Sequence, residues 1–256
     1  MSSAPPRSLH LRSTTTLPLK SASAVAAYEG GWLIVDDDRG LFHVVDGQAR
    51  LLRGKADHEG YGDLEGLAVD GAGAIFVVAE ESGVVLRCPL AGPGVVVVVG
   101  TIMPPAREPK KKKKKKKGGG NKGFEGLAWL PAALSPDGAD ALLVAHEAKP
   151  KRVLVLSPSD VSVRLELALD DVLDDALDDL ADLAVDPVSG ALLLLSDESA
   201  RIGVARIEGA MLVNLGLIDL PIDSDEKPEG ITFVDDNTVA IVTDATARVR
   251  VFHVER

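Results

Sequence analysis

Apolar residues along this chain come in short runs rich in Val, Ile and Leu, bounded by Gly, Pro, Asp and Asn. Leu33-Ile34-Val35-Asp36, Val84-Val85-Leu86-Arg87, Val153-Leu154-Val155-Leu156 and Arg248-Val249-Arg250-Val251-Phe252 have the length and content of strands. The pattern predicts an all-β chain. One exception lies between Leu169 and Asp182, where Leu173, Leu177 and Leu180 recur at helical spacing among Asp170, Asp171, Asp174, Asp175, Asp178 and Asp179. That stretch predicts a short amphipathic helix in a solvated acidic linker, without the alternating ligands and central glycine of a calcium loop.

A returning phrase organises the strands: Asp63-Leu64-Glu65-Gly66-Leu67, Gly123-Phe124-Glu125-Gly126-Leu127 and Lys227-Pro228-Glu229-Gly230-Ile231. Each copy opens a first apolar strand, then a turn, then a second strand ending in acidic or polar residues, as in Ala74 to Ser82 and Val239 to Asp244. Degenerate copies run from Asp179-Leu180-Ala181-Asp182 into Leu192 to Ser199, and from Ala24 to Ala27 into Trp32 to Asp38. These five units of roughly 40 to 60 residues fall in the period range of propellers and solenoids. Each has room for four strands; unit two offers Gly66 to Val69, Ala74 to Ala79, Val84 to Pro89 and Val95 to Ile102. The last unit runs out after its third, Arg248 to Val254, while Ser8 to Leu19 is an orphan strand at the other end. The expected fold is a five-bladed β-propeller of four-stranded antiparallel blades, closed by the N-terminal strand so that no ring edge stays open.

At 256 residues and 46% hydrophobic content, the chain suits a single β-propeller domain over 1–256. The longest apolar runs, Val95 to Val99 and Ala191 to Leu195, fall far short of the ~18 residues of a membrane helix. Met1 to Arg7 lacks the layout of a signal peptide, so a cytoplasmic protein without a membrane span is expected. The single cysteine, Cys88, excludes an intramolecular disulfide and a cysteine-rich zinc site. A net charge of -11 disfavours nucleic acid as a partner. Against that charge stands Lys110 to Lys117, an unbroken lysine run between Pro104-Pro105 and Gly118-Gly119-Gly120, which reads as a loop insertion and basic arm.

Asn121-Lys122-Gly123-Phe124-Glu125-Gly126-Leu127-Ala128, His146-Glu147-Ala148-Lys149-Pro150, Leu194-Leu195-Ser196-Asp197-Glu198-Ser199 and Lys227-Pro228-Glu229-Gly230-Ile231 follow one another in order after the Asp63 to Leu67 phrase. Together they resemble the SdiA-regulated, or YjiK-like, β-propeller family across units two to five. The Gly-Phe-Glu-Gly-Leu phrase is also similar to the esterase-like phytase propellers. The resemblance implies a propeller but no defined biochemical role, and the membrane anchor associated with many members is not expected here.

In a propeller the first strand of each blade lines the central channel, and the antiparallel second strand returns to the face from which the first departs. Glu65, Glu125 and Glu229 begin first strands and are expected at one channel mouth, ringed by Asp37, Glu80, His146, Asp197 and Asp244 from the ends of second strands. The degenerate units offer Ala181 and Ala22 in place of the glutamate. Converging carboxylates repel, and protonation, a cation or a basic partner must relieve them. A hard cation held by oxygens, Ca2+ first and Mg2+ second, suits that chemistry; the alternative is that each Glu accepts backbone hydrogen bonds and serves only the ring.

Nucleophilic catalysis finds little in the sequence. No Gly-x-Ser-x-Gly elbow is present, and His10, His43, His58, His146 and His253 form no catalytic motif. The function expected is therefore a non-enzymatic binding module for a small ligand or protein, with a divalent cation at an acidic channel mouth. The alternative is a metal-dependent phosphoesterase, with Lys149, Lys151 or the lysine run holding the anion.

Overall fold

The computed structural model describes residues 4–54, 60–88, 96–102, 123–147, 149–223, 226–244 and 247–256. His58 and the lysine run Lys110 to Lys117, with the basic arm read into it, lie outside the described residues. The described chain is all-β apart from one short helix.

Strands β2 (Ala22–Tyr28), β3 (Gly31–Asp36), β4 (Gly40–Val45) and β5 (Gln48–Gly54) form an antiparallel sheet in chain order. The next sheet repeats the plan with β6 (Leu64–Val69), β7 (Ile75–Ala79), β8 (Val84–Cys88) and β9 (Val97–Thr101). Two further runs of four follow: β10 (Phe124–Leu130), β11 (Ala141–His146), β12 (Arg152–Leu156) and β13 (Val163–Leu169), then β14 (Asp182–Val185), β15 (Leu192–Ser196), β16 (Arg201–Glu208) and β17 (Met211–Asp219). These two runs merge into one eight-stranded sheet, because β13 and β17 pair in parallel at Ala168 with Met211 and Leu169 with Leu212.

The last sheet takes strands from both ends of the chain. It holds β18 (Pro228–Asp235), β19 (Thr238–Thr243), β20 (Arg248–Glu255) and β1 (Ser8–Thr16), with β1 antiparallel to β20 from Ser8 opposite Glu255 to Thr16 opposite Arg248. The orphan strand is thus shorter than expected. It ends at Thr16, and Leu17 and Leu19 beyond it are buried in a cluster with Val25, Ile34, Val242 and Val249.

Burial explains the hydrophobic pattern. Every residue of the second strands β7, β11, β15 and β19 is buried, so these strands read as continuous apolar runs instead of alternating ones. No residue of the fourth strands β5 and β9 is fully buried. The core lies between sheets: one cluster joins Leu33 and Val35 to Ile75 and Val77, the next joins Phe76 and Val78 to Leu142 and Val144, and a third joins Leu143 to Leu192 and Leu194. Around the interior the first strands touch in the order β2, β6, β10, β14, β18, and β18 touches β2.

The acidic linker is solvated as expected at Asp171, Asp174, Asp175 and Asp178, but not throughout. Its helix, α1, spans only Asp171–Ala176, capped by the Asp170 carboxylate accepting from the Leu173 N–H at 2.9 Å. Leu173, Leu177 and Leu180 are fully buried, and Asp179 and Asp182 are buried with them. Lys151 fastens the helix end from beneath: buried, its Nζ donates to the carbonyl oxygens of Asp174, at 2.7 Å, and Leu177.

Candidate functional site

Glu65, Glu125 and Glu229 are each the second residue of a first strand, in β6, β10 and β18. The glycine after each has a steric reason. A Cβ on Gly66 would lie 2.7 Å from the Leu127 nitrogen in β10, one on Gly126 2.5 Å from the Asp182 Cα in β14, and one on Gly230 2.9 Å from the Ala24 Cα in β2. Only glycine lets neighbouring first strands touch at this level. In β14 the equivalent residue is Asp182, whose Oδ2 accepts a hydrogen bond from the Ile231 N–H of β18 at 2.7 Å.

Strand register fixes the remaining equivalences. Leu64 pairs with Ala79, Phe124 with His146, Pro228 with Thr243 and Ala22 with Asp36, so Ser23, and not Ala22, holds the glutamate position in β2. Asp37, Glu80, Glu147 and Asp244 each follow a second strand. Their N–H groups donate to the carbonyls of Ser21, Asp63, Gly123 and Lys227, two residues before the glutamate position, at 3.1, 3.0, 3.2 and 2.9 Å. Asp197 follows β15 in the same place. His146 is the last residue of β11 and is buried with its ring 5.2 Å from that of Phe124, which packs in the seam between the β6–β9 sheet and β10–β13. The acidic residue at the ring position in this unit is Glu147, one residue further on, which the sequence reading missed.

Burial first, and crowding after it, governs the protons of these carboxyls. Burial lifts Glu65 to about 10, and repulsion from Asp37, Glu125, Glu80 and Glu229 adds to it. Burial pushes Glu125 to about 9, helped by Glu80, Glu147 and Glu229 and opposed by the Gly123 N–H. Burial raises Glu229 to about 8, with Asp197, Asp244 and Asp179 adding and Lys227 opposing. Glu80, Asp37 and Asp197 are raised as well, again first by burial.

Two proton-sharing contacts follow. Glu80 and Glu125 are hydrogen-bonded to each other, which requires a proton between two carboxyls. Ser21 Oγ lies 3.1 Å from Asp37 Oδ2 and 3.0 Å from Asp244 Oδ1. The one hydroxyl proton faces both carboxyls, so Ser21 donates to one of them at a time or is shared between them. The cluster thus holds protons near neutral pH where a counter-charge would otherwise stand.

Among the described residues, lysines do little to neutralise it. Lys227 approaches Asp197 at 3.8 Å, while Lys151, an anion-clamp candidate from the sequence, is committed to α1 and to the Asp174 carboxylate at 3.3 Å. Among the described residues, no three His, Cys, Asp or Glu side chains meet at metal-ligand spacing.

The opposite ends of the same first strands have the reverse character. Past the glycines, β2, β6, β10, β14 and β18, with residues that follow β10 and β14, line a half-open cavity of about 250 Å³ whose side chains are aliphatic and aromatic apart from Thr232. Nothing in the repeat announced it.

The SdiA-regulated family model matches residues 106–243, and the phytase-like model, described as esterase-like activity of phytase, matches residues 6–160. The chain belongs to the SdiA-regulated and phytase-like families. The two matches overlap across the third unit, which carries the Gly123 to Leu127 phrase. No curated protein matches the chain of this SdiA-regulated protein in sequence. Among solved structures, the glutaminyl cyclase of Myxococcus xanthus superposes with a TM-score of 0.64 at 14% identity, over 99% of this chain and 100% of that one. The PQQ-bound aldose sugar dehydrogenase of Streptomyces coelicolor gives 0.60 at 13%, over 98% and 100%. The virginiamycin B lyase of Staphylococcus aureus gives 0.50 at 14%, over 93% and 69%. Identities this low carry the shared β-propeller architecture alone.

Proposed function

We propose that this SdiA-regulated chain is a five-bladed propeller, closed by β1, that acts as a non-enzymatic binding module with a cation-seeking acidic mouth. The first part is supported by the exchange of strands between chain ends in the β1–β20 pairing and by the contact of β18 with β2. The observation that carries the second part is the repetition of one acidic position: Asp37, Glu80, Glu147, Asp197 and Asp244 each follow a second strand beside the mouth. Glu65, Glu125 and Glu229 are raised first by burial and then by repulsion from neighbouring carboxyls.

A divalent cation, Ca2+ before Mg2+, is the first ligand to test, with Glu65, Glu125 and Glu229 as donors and Asp37, Glu80, His146, Asp197 and Asp244 on the surrounding face. Oxygen ligands must reach a calcium ion at ~2.3 to 2.6 Å, so binding would draw the carboxyls inward and expel their protons. Calorimetry with CaCl2 in two buffers of different ionisation enthalpy reads both the affinity and the protons released. Saturable binding with proton release, weakened at least tenfold in Glu125→Gln, is the expected result. Absence of binding to wild type at millimolar Ca2+ refutes the cation.

The match to the phytase-like family favours a second reading, a metal-dependent phosphoesterase. Such an enzyme needs an anion clamp beside its cation. Lys151, buried under α1, is not free to supply it. Hydrolysis of p-nitrophenyl phosphate that depends on Ca2+ and is lost in Glu125→Gln would favour this reading over the binding module.

A further inference from the structure

The cavity at the far end of the first strands belongs to none of the chemistry above. Its lining begins one residue past Gly66, Gly126 and Gly230, whereas the glutamates stand one residue before them. Among the described residues no charged side chain lines it. Val69, Trp129, Leu134, Val185 and Phe233, which come from different elements, are all only partly buried where they meet around it. Single exposed apolar side chains are commonplace, but several gathered on one concave surface mark a place for an apolar ligand.

We propose that this cavity binds a small uncharged aromatic molecule. Size supports a single ring: an apolar cavity of roughly 150 Å³ accommodates benzene, so about 250 Å³ takes a ring with a short alkyl substituent. The walls supply ring partners in Trp129 and Phe233. Trp129 is already held from behind, stacked on Phe76 with centroids 6.2 Å apart and planes 15° from parallel, so its orientation is set before a ligand arrives. An ionised ligand would lose hydration with no charged partner in the lining to replace it. The inference does not rest on the cation reading, which concerns the other end of the strands.

The probe is ethylbenzene, followed by the NMR signal of the Trp129 indole N–H in the full chain. Its ionised counterpart is 4-ethylbenzoate. A saturable shift of that signal is expected, at least tenfold weaker in affinity for 4-ethylbenzoate. Val69→Phe and Ala27→Leu both fill the cavity from partly exposed positions, and each should weaken binding at least tenfold while melting as wild type does. If one of them fails to fold, the other decides. Glu125→Gln, altered at the acidic end, should bind ethylbenzene as wild type does. No saturable shift in wild type, equal affinity for the ionised analogue, undiminished binding in a folded filled variant, or loss of binding in Glu125→Gln would each overturn the proposal.

Discussion

The backbone of Asp182 occupies the space that a side chain on Gly126 would need, with its Cα 2.5 Å from the Cβ an alanine would add. No rotamer change relieves that contact, because the obstructing atom is main chain. Gly126→Ala must push β10 and β14 apart, and overpacking of this kind costs about 1–3 kcal/mol, sometimes more. Gly71→Ala is the control, since nothing lies within 4 Å of its added Cβ. Urea unfolding should show a lower midpoint for Gly126→Ala with an unchanged slope, and a near-wild-type midpoint for Gly71→Ala. Equal midpoints would mean that the strands do not meet at this level.

The raised carboxyls make stability depend on pH in an unusual direction. Glutamate in the unfolded chain titrates near ~4.3, whereas in the folded chain Glu229, Glu125 and Glu65 hold their protons to about 8, 9 and 10. Between those values the native state binds more protons than the unfolded state, so unfolding free energy falls as pH rises. The contribution is complete below pH ~4 and is lost progressively through pH 8 and above. Without added cation, wild type should be less stable at pH 8.5 than at pH 5.5. Glu125→Gln, which stays neutral, should flatten that fall and exceed wild type at pH 8.5 by on the order of 1 kcal/mol or more. A profile that rises between these pH values would contradict the buried, protonated cluster.

The same residues mark what sequence could disclose about the site. The Glu-Gly phrase was legible because a repeated steric need, two strands touching, selects glycine each time. Unit four hid its equivalence because Asp182 meets the next strand with a carboxylate oxygen instead of with bare backbone. Glu147 was missed by one place. His146 and Glu147 are adjacent, and only the pairing of Phe124 with His146 tells which of them ends the strand. The parallel contact of β13 with β17 depends on where α1 carries the chain, which no local pattern encodes. The apolar cavity was invisible for a different reason: Leu, Val and Ala in its walls have the same composition as the core between the sheets.

The N-terminal strand should be essential to stability. Leu9 packs with Ile241 and Phe252, while Leu17 and Leu19 pack with Val25 and Val249, so residues 4–19 touch both the last sheet and the first. Losing a buried leucine side chain costs ~2–5 kcal/mol, and three together approach the whole ~5–15 kcal/mol of a typical domain. Deleting residues 4–19 is expected to abolish the cooperative thermal transition followed by circular dichroism or lower its midpoint by tens of degrees. Leu11→Ala, at an exposed position of the same strand, should change it little. An unaltered transition in the truncated chain would reject closure through β1.

Ser21 offers a test of proton sharing away from the glutamates. Its hydroxyl bridges Asp37 and Asp244 at 3.1 and 3.0 Å, and burial, followed by the charges of Asp244 and Asp63, raises the Asp37 carboxyl against the pull of the Ser23 and Ser21 hydroxyls. Because Asp37 titrates higher folded than unfolded, its stabilising proton is present below pH ~4 and lost as pH climbs through the raised value. Ser21→Ala removes the bridge and leaves two carboxyls facing each other without it. The loss of stability should therefore grow with pH, from roughly 1 kcal/mol when Asp37 is protonated to more when both groups are charged. Asp37→Asn supplies an N–H donor to Ser21 at every pH and should remove this part of the pH dependence. Carbon-detected NMR of the Asp37 carboxyl reads the titration directly. A midpoint at or below that of an ordinary aspartate would contradict the raised Asp37 carboxyl.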